Sequence, residues 1–295
     1  MNENMRFSKA ADDKYSINDY RKYPPTQCKP DYKCITDIEE LKKYLKNAPL
    51  VAFDFEMAPN DVYRAEEKAA LDPAKAHIVG CSFSVAPGSG VYVPIKHLIG
   101  KNIDETVFMN YLKRFLTDES ITKVAHNIAF ESMFSYANGI VIQEPVYDTI
   151  CAAQMTLCGN YKYRGLKECG LKYLVKDLLK KHIPTFSEVT EGKPFDERDA
   201  QDAETVRYGC RDSDYSLRLY SVFNDWFNKY LPKHRKIIEE IESPAAVYLG
   251  LMKFNGVPID LDILEDKSRE AEEKIEGIRQ KISFIIGYGG YVGEN

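Results

Sequence analysis

Apolar positions cluster or alternate over four short runs: "LVAFDFEM" at 50–57, "HIVGCSFSV" at 77–85, "GVYVPI" at 90–95 and "ITKVAHN" at 121–127. Most are flanked by turn-forming residues, and their period predicts strands. Elsewhere the period lengthens to that of a helix, in "DETVFMNYLKRFLTD", "FESMFSYANG", "YDTICAAQMTLCG", "GLKECGLKYLVKDLLKK" and a long run beginning near 199 and ending at Leu231. Strands followed by helices predict one α/β domain over 36–230, a mixed sheet flanked by helices. From 231 the pattern is purely helical. "RKIIEEIESPAAVYLGLMKF" is stopped by Asn255-Gly256, and a further helix opens at "DLDILED", where Asp262 and Glu265 stand at capping-box spacing. Residues 1–35, stiffened by Pro24, Pro25 and Pro30, read as a polar, aperiodic arm, and the closing "GYGGYVGEN" favours no element.

The run at 50–57 places two acids in a strand that should be buried. Side chains alternate faces, so Asp54 and Glu56 share one face about 6.6 Å apart, while Phe53, Phe55 and Met57 take the other. Alone, an Asp-x-Glu is most simply an exposed, solubilising edge. In the long final helix, Tyr208, Asp212, Tyr215, Leu219, Val222 and Trp226 form one stripe, which puts Asp212 on the inward face. A buried aspartate needs a cation or hydrogen-bond donors. Asp214 falls off the stripe and is expected to pair with Arg218 at i+4 in the ordinary solvated way. In "VAHNIAFESMFSY", Asn127 and Glu131 fall at a strand-to-helix junction, a frequent place for site residues in α/β folds. His77, His97, His182 and His234 read as surface or loop residues, and the lysines of "LKYLVKDLLKKH" as a solvated helix face. Leu251, Met252 and Phe254 read as core positions for helix packing.

Charge and cysteine usage narrow the classes. The net charge of −5 over 295 residues argues against a nucleic-acid binder held by a broad basic face, while leaving open an enzyme whose metal ions handle phosphate. Seven scattered cysteines without a Cys-x-x-Cys pair or zinc spacing point to reduced, core-filling thiols. Neither a leader segment nor a long apolar run is present, so a soluble, cytoplasmic protein without a membrane partner is expected.

Asp-x-Glu on an early strand, Asn-x-x-Phe-Glu at a mid-chain junction and Tyr-x-x-x-Asp on a late helix together resemble the three motifs of the DEDD exonuclease superfamily, tyrosine subclass. "VYDTICAAQMTL", "GLKECGLKYL" and "VRYGCRDSDYSLRLY" extend the resemblance to the 3′-5′ proofreading exonuclease domain of family A DNA polymerases, with its RNase H-like fold. Residues 231–295 resemble the start of a polymerase thumb, truncated, so the chain is expected to lack a polymerase catalytic domain. The resemblance implies two Mg²⁺ or Mn²⁺ ions. Asp54 would bridge both, Glu56 and Asp212 would hold the nucleophile-side ion and Glu131 the other, with Tyr208 orienting the attacking water. It further implies that Asn127, Phe130 and Met57 touch the 3′-terminal nucleotide, that the substrate is a single-stranded or frayed DNA 3′ end, and that a polymerase domain or subunit is supplied separately. Glu131 departs from the Asp usual in the second motif, and its extra methylene bears on the second ion. An RNase D-like RNA-processing exonuclease and a catalytically weak DNA-positioning module are the alternatives.

Overall fold

The computed structural model of the protein describes residues 28–157 and 166–287. Six strands form one mixed sheet: β1 (Asp31–Cys34), β2 (Leu50–Pro59), β3 (Ala76–Ser84), β4 (Ser89–Pro94), β5 (Thr122–Ala125) and β6 (Val146–Asp148). Their order is β1-β4-β3-β2-β5-β6. The β2–β3 and β3–β4 pairs are antiparallel, and the β1–β4, β2–β5 and β5–β6 pairs are parallel. The four predicted strands are its centre. The two edge strands lie outside the sequence prediction for a physical reason: β1 alternates exposed and half-buried residues, and β6 is only three residues long. β1 also shows that the tail of the aperiodic arm is sheet; residues 1–27 fall outside the described part.

Each sheet face is covered by helix. On one face, Phe53 and Phe83 meet Phe115 of α2 (Glu105–Leu116) edge-on, with ring centroids 5.9 and 5.3 Å apart. Also in the chain are α1 (Ile38–Leu45), α3 (Ile128–Ala137), α4 (Thr149–Leu157), α5 (Leu171–Leu174), which runs on into a π-turn over Val175–Leu179, and α6 (Phe186–Thr190). The long α7 (Ala203–Tyr230) crosses the other face, started by Asp202, whose carboxylate accepts the Glu204 and Thr205 N–H groups. Its inward stripe buries Tyr208, Tyr215, Leu219, Val222 and Trp226, as the 3.6-residue period requires. Each such large apolar side chain contributes roughly 1.5–3 kcal/mol by leaving water.

The chain divides into two compact units, with the break between Phe254 and Asn255. α8 (Pro232–Ile237), a π-turn and α9 (Ser243–Asn255) up to Phe254 belong to the first unit. There, Ser132 Oγ of α3 donates to the Val247 carbonyl at 2.9 Å, and the Asp148 N–H donates to Ser243 Oγ at 2.8 Å. Gly250 makes this contact close, since a Cβ there would strike the Ala129 carbonyl. Of the expected core positions on α9, Leu251 is half-buried and Met252 is exposed, while Phe254 stays 37% exposed although its ring meets Tyr136 of α3 edge-on at 5.2 Å. The second unit carries α10 (Leu261–Ile286), exposed along almost all of its length. Its cap is Asp260, which accepts the Asp262 and Ile263 N–H groups, rather than the expected Asp262. Residues 288–295 lie outside the described part.

Candidate functional site

The acids face α7 across the sheet. On that face, apolar packing occurs in two patches. Ala52 and Val124 meet the Tyr215, Leu219 and Val222 side of α7. Ala58 and Val79 meet Val206, Tyr208 and Cys210. Asp54 and Glu56 lie between these patches, opposite Ser82 and Gly80 of β3, and the register shifts just after Glu56. Such a bulge bends the strand and re-aims the side chains around it. From α7 come Tyr208 and Asp212, one turn apart. From the first turn of α3 comes Glu131, buried to 3% exposure.

Electrostatics report how near these groups are. Burial raises the Asp54 carboxyl well above its ordinary range, and the Asp212 charge raises it further. Glu56 is raised by burial, then by Asp54 and Asp212. Glu131 is raised by burial and then by Asp54. Asp212 is pushed up to about 6 by burial, against the opposing charges of Lys172 and Arg211. Four acids from three elements therefore feel one another in a low-dielectric space. Two of their oxygens, Glu131 Oε2 and Asp212 Oδ1, are buried with no hydrogen-bond partner, an arrangement that costs about 1–3 kcal/mol or more per atom unless a cation or donor arrives.

Tyr208 is 6% exposed. Its ring lies 5.4 Å from Phe195 and 6.4 Å from Phe186. Burial, Glu56, Asp212 and Asp54 all push its hydroxyl upward, so it keeps its proton and can act as a donor at neutral pH. Tyr92 fixes the spacing here. Its ring is wedged so closely between Gly80 of β3 and Gly209 of α7 that a Cβ on either glycine would collide with it. The Tyr92 hydroxyl bonds His97 Nε2 at 2.7 Å, and His97 Nδ1 lies 2.8 Å from the Arg198 carbonyl. His97 is thus a buried core residue, contrary to the surface reading, because both ring nitrogens are satisfied internally.

Asn127, two residues beyond β5, caps the start of α3 with φ 72°, is exposed, and donates its backbone N–H to Asp148. Asp148, which the sequence reading did not single out, is fully buried and accepts the N–H groups of Asn127, Ile128 and Ile150 at 2.8–2.9 Å. Burial still lifts it to about 6. It fixes the β5–α3 junction that presents Glu131. Phe130 and Met57 are half-buried at the edge of the cluster built on Phe53 and Phe55. His126 bonds Thr149 Oγ1 through Nδ1 at 2.8 Å, and burial lowers it to about 4, so it is neutral.

The Asp214–Arg218 pair forms at i+4 as expected, but it is fully buried rather than solvated. Asp214 also accepts the Tyr32 hydroxyl and the Gly88 N–H, each at 2.7 Å, which ties α7 to β1 and to the β3–β4 turn. Those partners are 182 and 126 residues away in sequence, so local spacing could not reveal them.

A family model for 3′-5′ exonuclease, of the type found in family A DNA polymerases, matches residues 32–226. The chain belongs to that exonuclease family. Among curated relatives it is 25% identical to DNA polymerase I of Pseudomonas aeruginosa over 277 residues, covering 89% of this chain and 28% of that protein. To the DNA polymerase of Escherichia phage T5 it is again 25% identical, over 85% of this chain and 29% of that protein. It therefore spans somewhat over a quarter of the length of these relatives. Among solved structures, the POL domain of Mycobacterium smegmatis Pol1 superposes with a TM-score of 0.61 at 16% identity, over 89% of this chain and 39% of that one. RNase D of Trypanosoma brucei gives 0.60 at 17% identity, over 83% and 77%. The exonuclease chain thus has the RNase H-like fold.

Members of this exonuclease family generally depend on divalent metal ions. The donor set fits: hard carboxylate oxygens suit Mg²⁺ or Mn²⁺, and two of them lack any other partner. Among the described residues no three His, Cys, Asp or Glu side chains already surround a metal-sized point. Among the described residues Cys34, Cys81, Cys151 and Cys210 form no disulfide. Among the described residues no helix is long and apolar enough to cross a membrane.

Proposed function

We propose that this exonuclease chain removes nucleotides from single-stranded or frayed DNA 3′ ends, as the proofreading module that serves a family A polymerase domain or subunit. The observation that carries the reading is the convergence, within a matched exonuclease family, of the buried Glu56 and Glu131 and the half-buried Asp54 and Asp212 on one patch with two orphaned oxygens. Residues 36–230 carry the chemistry in this reading, and the helices from 231 onward correspond to the approach to a polymerase thumb.

Asp54 would hold both metal ions, Glu56 and Asp212 the nucleophile-side ion, and Glu131 the second. When bound, two such ions supply a hydroxide at neutral pH and stabilise the attacking and leaving oxygens of an in-line displacement. The chain's own contribution is positioning. Tyr208 keeps its proton and presents a hydroxyl beside Glu56 and Asp212, where it orients the attacking water. Asn127, exposed at the β5–α3 junction, would contact the 3′-terminal nucleotide, with Phe130 and Met57 flanking it. The raised carboxyls mean that protons compete with the ions, so activity should rise with pH as the acids become available.

Digestion of a 5′-labelled single-stranded DNA, beside RNA of the same sequence, with Mg²⁺, Mn²⁺ or EDTA tests the proposal. A metal-dependent ladder shortening from the DNA 3′ end supports it. Preference for RNA would favour the second reading, an RNA-processing exonuclease, which the fold shared with RNase D keeps in play. Absence of cleavage with either ion in the folded protein would favour a DNA-positioning module, for which Glu131 is the sequence hint.

A further inference from the structure

Lys172 belongs to none of the three acid-bearing elements. It lies on α5, and the neighbouring Leu174, Val175, Leu178 and Leu179 are buried in the same cluster as Tyr215 and Leu219 of α7. The backbone beneath Lys172 is therefore fixed relative to the helix that carries Tyr208 and Asp212, while its own side chain is exposed. Its Nζ stands 5.7 Å from the centroid of the Tyr208 ring. Its charge acts on Asp54, Glu56 and Asp212 and opposes the burial that raises each of them.

A lysine beside an acid cluster has two plausible uses. As a resident counter-ion it would sit within about 4 Å of a carboxylate oxygen. Among the described residues Lys172 makes no such salt bridge, although lysines elsewhere on the surface do. The alternative is an ammonium left free for an incoming anion. A strand approaching four carboxylates meets charge of its own sign, and an exposed cation on a long stem at the edge of that patch attracts it first. The Tyr208 ring, with the ammonium over it in a cation–π contact, holds that cation at the edge of the patch.

Resting on the exonuclease reading above, we propose that Lys172 is a substrate-positioning residue whose ammonium binds a backbone phosphate of the strand whose 3′ end enters the carboxylate site. It acts on the bound strand rather than on the metal ions. Its loss weakens substrate binding and its salt dependence, and leaves the chemical step nearly intact.

The test compares wild type with Lys172→Gln and Lys172→Arg in two measurements. One is anisotropy of a 5′-fluorescein single-stranded oligonucleotide in EDTA; the other is initial-rate cleavage of the same oligonucleotide with Mg²⁺. Lys172→Gln should weaken the Kd or KM roughly fivefold at low salt, hold kcat within about twofold, and reduce the slope of log affinity against log salt by about 0.7, the value for one single-strand phosphate contact. Lys172→Arg should restore most of the loss, since it keeps the charge. The proposal is overturned if wild type cuts DNA and Lys172→Gln matches it in KM and salt slope. It is equally overturned if Lys172→Gln shifts only the Mg²⁺ concentration needed for half-maximal rate, which marks a counter-ion. Failure of wild type to cut any DNA defeats the exonuclease reading instead, and anisotropy then still decides whether Lys172 holds the strand.

Discussion

Replacing Asp214 with Ala removes a carboxylate that is fully buried and accepts hydrogen bonds from three separate places. These are Arg218 Nε and Nη2 at 3.0 and 2.8 Å, the Tyr32 hydroxyl at 2.7 Å and the Gly88 N–H at 2.7 Å. An exposed i,i+4 pair would cost about 0.3–0.5 kcal/mol to break. Here the guanidinium, 1% exposed, stays buried without its carboxylate, and breaking such a pair costs about 3–5 kcal/mol. For a chain of this size that lowers Tm by roughly 10 °C. Arg218→Met should cost less, because the Tyr32 and Gly88 donors still serve Asp214. The double variant Asp214→Ala/Arg218→Met should lose markedly less than the sum of the single changes, with a coupling of at least about 1.5 kcal/mol. Urea unfolding followed by circular dichroism on the four proteins measures the cycle. A loss below about 1 kcal/mol for Asp214→Ala would refute the reasoning, since it would mean that the pair behaves as a solvated one.

Asp54→Ala and Asp212→Ala should each abolish DNA cleavage and leave Tm in EDTA unchanged or raised, because each relieves repulsion within the acid patch; cleavage at the wild-type rate would disprove the site assignment. Tyr208→Phe should slow cleavage by about tenfold to a hundredfold by loosening the water's orientation, with Mg²⁺ affinity unchanged in a calorimetric titration; a large loss of Mg²⁺ affinity would contradict the orienting role. In EDTA the protein should be more stable at pH 5 than at pH 7: Asp148 and Asp212 have folded pKa values raised to about 6, so the fold binds protons more tightly than the unfolded chain, and stability is lost as pH rises through about 6. A Tm that is flat or falling from pH 7 to pH 5 would contradict this. Gly209→Ala places a Cβ 2.5 Å from Tyr92 Cδ2, and this overpacking should cost about 1–3 kcal/mol and slow cleavage by displacing the neighbouring Tyr208; wild-type Tm and rate together would show that the Tyr92 ring yields freely.

What could be read from the sequence was local. Strand alternation put Asp54 and Glu56 on one face, and the helix period put Asp212 beneath Tyr208. Both hold because the apolar neighbours, Phe53 and Phe55 in one case and Leu219 and Val222 in the other, dictate which way each element turns. Residues whose place depends on distant partners were misread or missed. His97 looks like a loop histidine until Tyr92 and the Arg198 carbonyl, 101 residues away, close on its ring. Asp148 sits in a three-residue strand with no periodicity to betray it, and Lys172 hides among solvated lysines. The Asp214–Arg218 spacing was legible but its burial was not, because Tyr32 and Gly88 arrive from the far edge of the sheet.

The Tyr92 ring, pressed between Gly80 and Gly209, works as a feeler gauge. Glu56 stands opposite Gly80 in the sheet, and Tyr208 precedes Gly209 on the helix. The gap between the strand that carries Asp54 and Glu56 and the helix that carries Asp212 is therefore gauged by a single aromatic ring before any ion or strand arrives. A chain that enlarged either glycine would have to re-machine both halves at once.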